Sequence, residues 1–288
     1  GKVWEFGDGR LRIENGARDL RAELGTTLAG TGGNPAQALV TLVTRKGAAT
    51  ARLSATVDRI ASADLAGMVP VLLSLGAVEA PISGRLSAEL GDSGLTSLDA
   101  SLEFGAGALR PTPEAVPVAF ERAGMQIAYD PARGRVNLIG FDVESATLRL
   151  KAQGHSYLTD ADGRILTGPL GARLPSAFLS QIHISEMQVD PAGLFVEPVR
   201  FSEGALDLRL QIDPFRVDIG QVALVESGRR LGARGTLGAD AGGWSAAIDI
   251  TLDRIGQAGC QARSPRPPSA PDAGTSPAET TMPSPVPP

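Results

Sequence analysis

The stretch ALDLRLQIDPFRVDI, residues 205–219, decides the fold class. Leu206, Leu208, Leu210 and Ile212 share one parity, and Asp207, Arg209, Gln211 and Asp213 share the other. Successive side chains of an extended chain point to opposite faces, so this is a strand with one apolar and one charged face. A strand buried on both faces would lack the charges, which points to a half-buried, antiparallel sheet. After Asp213 and Pro214 the alternation resumes, with Phe215, Val217 and Ile219 set against Arg216 and Asp218.

The same design spreads in both directions. Downstream, residues 222–226, 229–237 and 244–255 read as strands, and Ile248, Ile250 and Leu252 share a parity. Upstream, strands are expected at 199–201, 178–189 and 142–152, the last with Leu148, Leu150 and Ala152 on one face. Further strands are expected at 115–121, 123–129 and 135–139, and Leu98, Ala100, Leu102 and Phe104 alternate with Asp99, Ser101 and Glu103. Segments 130–134, 160–163 and 190–193 carry the Asp, Pro and Gly of turns. Nearer the start, residues 82–90, 51–58, 37–45 and 19–28 are strand-like. Residues 3–13 read as short pieces around a Gly7-Asp8-Gly9 turn, and 30–35 as a loop.

The period changes once. Ser62 suits an N-cap and Asp64 a first turn, and Leu65, Met68, Val69, Leu72 and Leu73 recur at helical spacing. Pro70 breaks this segment or divides it into two short helices. The expectation is therefore a mostly β protein: one long curled antiparallel sheet with a short helical segment near 62–76, or a closed β-sandwich built from the same strands.

Composition agrees. Hydrophobic residues make up 42% of the 288 and aromatics only 4%, so the apolar faces are aliphatic. Thirty-five Gly and 21 Pro supply many turns. A net charge of -5 with no basic block argues against nucleic acid as a partner. One cysteine, Cys260, excludes an intrachain disulfide framework and a multi-cysteine metal site. No run of about 18 apolar residues is present to form a membrane-spanning helix. Residues 1–255 read as one β-rich domain; residues 256–288 are a Pro-rich tail too poor in large apolar side chains to fold, either a natural tether or the product of a frameshift.

No catalytic constellation accompanies this pattern. His155 and His183 have no Cys or second His at ligand spacing, so both read as ordinary strand histidines. Asp160-Ala161-Asp162-Gly163 resembles the start of a calcium loop, but the twelfth position is Gly171 rather than Glu. There is no phosphate-binding loop, nucleophile elbow or dinucleotide fingerprint. The expectation is a non-enzyme with neither metal nor cofactor; an enzyme would need two carboxylates brought together from separate strands.

Two phrases echo one another: LSATVDRI at 53–60 and IDITLDRI at 248–255. The DRI strand ending at Ile60, the helical segment after it, and then Ala80-Pro81-Ile82-Ser83-Gly84-Arg85-Leu86 resemble the AsmA-like superfamily. Within it the match is best to the YhdP-like branch and its central domain of unknown function. Val136-Asn137-Leu138-Ile139-Gly140 and Arg234-Gly235-Thr236-Leu237-Gly238 are in the same style. The resemblance spans roughly residues 4–255 and rests on strand rhythm, not on a catalytic signature.

That resemblance implies a bridge-like lipid transporter. It implies an anchor in the inner membrane upstream of Gly1, a periplasmic location, and a curled sheet whose apolar concave face carries phospholipid acyl chains towards the outer membrane. The residues expected to line the groove are Leu98, Leu102, Phe104, Leu148, Leu150, Leu206, Leu208, Leu210, Ile212, Ile248, Ile250 and Leu252. The competing expectation is a structural or adhesive β-module of the cell envelope, with the same rows forming an ordinary core.

Overall fold

Alternation at period two produces strands almost throughout the computed structural model, which describes residues 6–28, 35–68, 70–169, 174–190 and 197–253. The tail from 254 onward, with Arg254, Ile255 and Cys260, lies outside the described residues, as do most of the expected 30–35 loop and the 191–193 part of the third turn. In chain order the first elements are β1 (Phe6–Asn15), β2 (Asp19–Leu28), β3 (Ala36–Arg45) and β4 (Ala51–Ala61). Helix α1 (Ser62–Met68) and a 3-10 helix (Pro70–Ala77) follow, then β5 (Val78–Glu79), β6 (Pro81–Gly91), β7 (Gly94–Phe104), β8 (Gly107–Leu109) and β9 (Val118–Phe120). The remainder is β10 (Arg122–Asp130), β11 (Arg135–Glu144), β12 (Leu148–Thr159), β13 (Ala177–Val189), β14 (Val199–Phe201), β15 (Glu203–Gln211), β16 (Arg216–Glu226), β17 (Arg229–Asp240) and β18 (Gly243–Asp253).

Fifteen strands form one antiparallel sheet in the order β1-β2-β3-β4-β6-β7-β10-β11-β12-β13-β15-β16-β17-β18, with β14 beside β13. It is a meander whose first and last strands do not pair, so the sheet is open and is not a closed sandwich. The remaining strands, β5, β8 and β9, make a small separate sheet.

The sheet curls, and chain length proves it. The indole Nε1 of Trp244 on β18 donates to the carbonyl of Val116 at 2.6 Å. Thr112 Oγ1 donates to the carbonyl of Asp240 at 3.4 Å. Val116 lies only six positions before Arg122, where β10 begins, a span of at most about 21 Å. In a flat sheet β10 and β18 would lie seven spacings apart, about 34 Å. Trp244 also sits at the opposite end of its strand from Arg122, because Ala239↔Trp244 lies beside the β17–β18 turn whereas Arg122↔Glu144 lies far from the β10–β11 turn. Both contacts therefore require the sheet to bend round on itself.

Helix α1, the 3-10 helix and the segment from β8 to β9 fill the inside of that bend. Leu65, Leu72 and Leu75 join Val57, Ile82, Leu98, Leu102, Phe104 and Phe178 in the principal core. Ser62 fastens the start of the insert: its backbone N–H donates to the Ala80 carbonyl at 3.2 Å, and its hydroxyl donates to the Val78 carbonyl. A second cluster, of Ala77, Ala115, Phe215 and Ala239, joins the insert to the far strands. Pro70 divides the helical segment into two pieces, one of the two outcomes its ring allows.

Four sequence expectations are corrected. No turn occurs at Gly7-Asp8-Gly9; β1 runs through it, with a register shift between Phe6 and Gly9. Of 115–121 only Val118–Phe120 is strand, and it belongs to the small sheet. The single strand expected at 142–152 is two strands, because the Ser145 hydroxyl accepts the N–H groups of Thr147 (3.3 Å) and Leu148 (3.0 Å) and closes a turn. Residues 216–226 are one strand rather than two; a bulge between Ile219 and Val222 absorbs the change of parity.

Candidate functional site

The residue pairs across the sheet trace one row from edge to edge. It runs Leu11, Leu24, Val40, Ala55, Leu86, Ala100, Ile127, Leu138, Gly154, Ile182, Leu206, Val222, Ala233, Ile250. One residue comes from each of the fourteen strands in the path, and every one is apolar or glycine. The row is about 62 Å long at ~4.8 Å per spacing. Bulges shift the register at six or more places along the sheet, yet the row stays apolar, because each bulge restores the facing that the sequence alternation demands.

Burial divides this face into three zones. In the middle, Leu98, Leu102 and Phe104 are buried beneath the insert. Leu148, Leu150, Leu206, Leu208, Leu210 and Ile212 are half-buried. Leu210 and Ile212 pack against the principal core, while Leu150 and Leu206 pack against a third cluster of Ala152, Ile184, Phe201 and Leu224. At the edge, Ile248, Ile250 and Leu252 are open, with Ile250 at 61% exposure. The opposite edge is open too: Leu11 and Ile13 are each 62% exposed.

Eleven of the twelve sequence-derived groove residues lie on strands of one sheet and Ile212 lies just past the end of β15, but they do not share one environment. The rows could not reveal that the insert occupies the middle of the face. They also missed Ile182, Val222 and Ala233, which complete the row through β13, β16 and β17; the bulge in β16 hides Val222 from a strict parity count.

The other face is charged. A cleft of about 800 Å³ is lined there by Arg122, Asp142, Glu144, Arg149, Lys151 and Glu186. Its charges are paired with one another: Arg122 Nε to Glu144 at 2.6 Å, Arg149 Nε to Glu144 at 2.8 Å, and Lys151 Nζ to Glu186 at 2.7 Å. The hydrogen bond from Arg122 is the largest influence holding the Glu144 carboxyl below its ordinary range, and the Lys151 hydrogen bond does the same for Glu186. Mutual pairing of this kind is compatible with a solvated polar face.

His155 and His183 lie on this polar face near Asp207, in a cleft of about 590 Å³. The imidazole of His155 meets the ring of Tyr157 edge-on at 5.3 Å. Asp160-Ala161-Asp162-Gly163 is a turn, with Gly163 N–H donating to the Asp160 carbonyl at 3.1 Å and Asp162 pairing with Arg164 at 2.7 Å. Among the described residues no group of three His, Cys, Asp or Glu side chains could hold a metal ion, and no helix is long and apolar enough to cross a membrane.

No family model matches the sequence, and no curated protein or solved structure matches it.

Proposed function

We propose that this chain is an acyl-chain-carrying segment of an AsmA/YhdP-like lipid conduit of the cell envelope, working in the periplasm of a protein anchored to the inner membrane and without enzymatic activity. One observation carries the reading: an apolar row crosses the fourteen consecutively paired strands of an unclosed sheet and is still exposed at both edges. An ordinary sheet hides such a row against a second layer. Here the only second layer among the described residues is the helical insert and the small sheet beside it; it touches β18 at Trp244 but leaves Leu11 and Ile13 on β1 and Ile248, Ile250 and Leu252 on β18 exposed.

The physical advantage is large. Removing a dozen acyl methylenes from water is worth about 10 kcal/mol at ~0.8 kcal/mol per group. Aliphatic walls with few aromatic rings hold a chain without gripping one point of it, which favours sliding over capture.

Lipid retention tests the reading. Purified from a Gram-negative host and extracted for mass spectrometry, the chain is expected to carry phospholipid, and Leu208→Asp and Ile250→Asp are expected to carry at least several-fold less. Unchanged lipid in both folded variants overturns the proposal. A structural envelope module is the second reading. It is favoured by the insert, which makes Leu98, Leu102 and Phe104 part of a conventional core; it predicts no bound lipid in any variant.

A further inference from the structure

The two edges of the sheet match one another. Among the described residues nothing pairs with the outer side of β1 or of β18. Natural proteins protect such edges with bulges, prolines or inward charges, because an open apolar edge recruits another strand. Here the inward residues at both edges are apolar and largely exposed: Leu11 and Ile13 on β1, Ile248, Ile250 and Leu252 on β18.

Strand count and register make the edges complementary. The path holds fourteen strands, an even number, so β1 and β18 run in opposite directions. A second copy's β1 laid beside β18 therefore continues the antiparallel meander. The apolar row ends at Leu11 on one edge and Ile250 on the other, and extending it sets these two opposite each other. The same register places Ile13 opposite Ile248 and Arg12 opposite Asp249. Both charges are exposed, and each now has only a partner within its own chain: Arg12 with Glu14 at 2.6 Å, and Asp249 with Arg234 at 3.6 Å. A slip of one residue would turn Leu11 to the polar face. A slip of two either sets Glu14 against Asp249 or leaves Ile13 opposite Ala246. Asp8 would meet Asp253 at the far end, so the pairing stops there.

We infer that copies of this chain join edge to edge, β18 of one against β1 of the next, with Ile250 on Leu11 and Asp249 on Arg12. The contact is heterologous, so it propagates: each junction leaves one free edge of each kind, and assembly grows with concentration. It prolongs the apolar face by a full copy at every step. The inference stands apart from the lipid reading, because it is read by mass in the absence of lipid.

Sedimentation velocity of the full 288-residue chain, delipidated and over a wide concentration range, is expected to show dimers and longer species. Ile250→Lys disables the β18 edge and Leu11→Lys the β1 edge. Each variant alone is expected to remain monomeric, and their equimolar mixture to form dimers and nothing larger, since one intact edge of each kind is left. Asp249→Arg is expected to weaken assembly at least several-fold, and Arg12→Asp in the same chain to restore it. Circular dichroism confirms that each variant is folded; these sites are exposed, and a variant that fails to fold is replaced by Ile248→Lys or Ile13→Lys. A wild-type chain that is monomeric throughout, a single-edge variant that still self-associates, or a mixture that stays monomeric overturns the inference.

Discussion

Gly134 shows how much one residue decides in a protein of turns. It ends the short 3-10 turn Pro131–Arg133 between β10 and β11 with φ 59°, a left-handed conformation that residues with a Cβ adopt at a cost of roughly 1–2 kcal/mol. A Cβ there would also lie 2.1 Å from the carbonyl oxygen of Leu166. The close approach exists because the loop after β12 folds back over the turn: Gly168 N–H donates to the Pro131 carbonyl at 2.7 Å, and Tyr129 Oη donates to the Gly168 carbonyl at 3.1 Å. Gly134→Ala is therefore expected to destabilise the protein by about 2–4 kcal/mol, combining the backbone cost with displacement of the loop. Urea denaturation measures it, and a shift below 1 kcal/mol would show that the loop yields freely.

At the scale of elements, the insert has two attachments that do different work. Its helical part is held by burial: Leu72 is only 1% exposed within the principal core. Its distal part, from β8 to β9, is held by a few specific contacts with the β17–β18 hairpin. The Trp244 indole donates to Val116 and stands edge-on to Phe215 at 5.9 Å. Trp244→Phe keeps an aromatic edge against Phe215 but removes the N–H donor. The expected loss is about 0.5–1.5 kcal/mol, the usual net value of one hydrogen bond. Because the bond joins segments 128 residues apart, the consequence should be local opening rather than global unfolding. Hydrogen exchange read by mass spectrometry is expected to accelerate in residues 107–120 and in the hairpin, and to stay unchanged in β10–β13. Uniform acceleration would show instead that the brace is integral to the whole sheet.

At the scale of the molecule, surface carboxylates carry the acid response. Glu144, Glu186, Glu226 and Asp130 all have carboxyls held below their ordinary range, chiefly by hydrogen bonds from Arg122, Lys151, Ser227 and Arg133 respectively. A group whose folded pKa lies below its unfolded one stabilises the fold above the unfolded value, near 4, and loses that contribution as pH falls through the folded value. Lys151 is raised by the hydrogen bond it donates to Glu186, so its contribution is lost only as pH rises beyond the ordinary lysine range. The urea midpoint is thus expected to be flat around neutrality and to fall below about pH 4. In Glu144→Gln the acid decline should be shallower, and higher salt should shrink it in the wild type, since these pairs are exposed. An acid decline identical in the variant would remove Glu144 from the account.

Strand identity was legible in the residues because period-two alternation is a local property that each strand carries alone. Leu206, Leu208 and Leu210 read correctly for that reason, as did the helical change of period after Ser62, while Ile212 falls just beyond the end of its strand. Turn and bulge positions were less legible. Ser145 acts through hydrogen bonds to particular neighbours, so Ala146 carries no mark that separates it from a strand residue. The groove itself was only half legible. Alternation states that Leu98 and Ile250 face the same way, but not that one lies under a helix and the other in the open. By itself, the sequence determined the strands, their apolar parity and the one helical interruption. Only the tertiary structure decided the order of fourteen paired strands, the curl that brings Trp244 to Val116, and the exposure of both edges. Those depend on contacts between residues far apart in the chain, which no local pattern records.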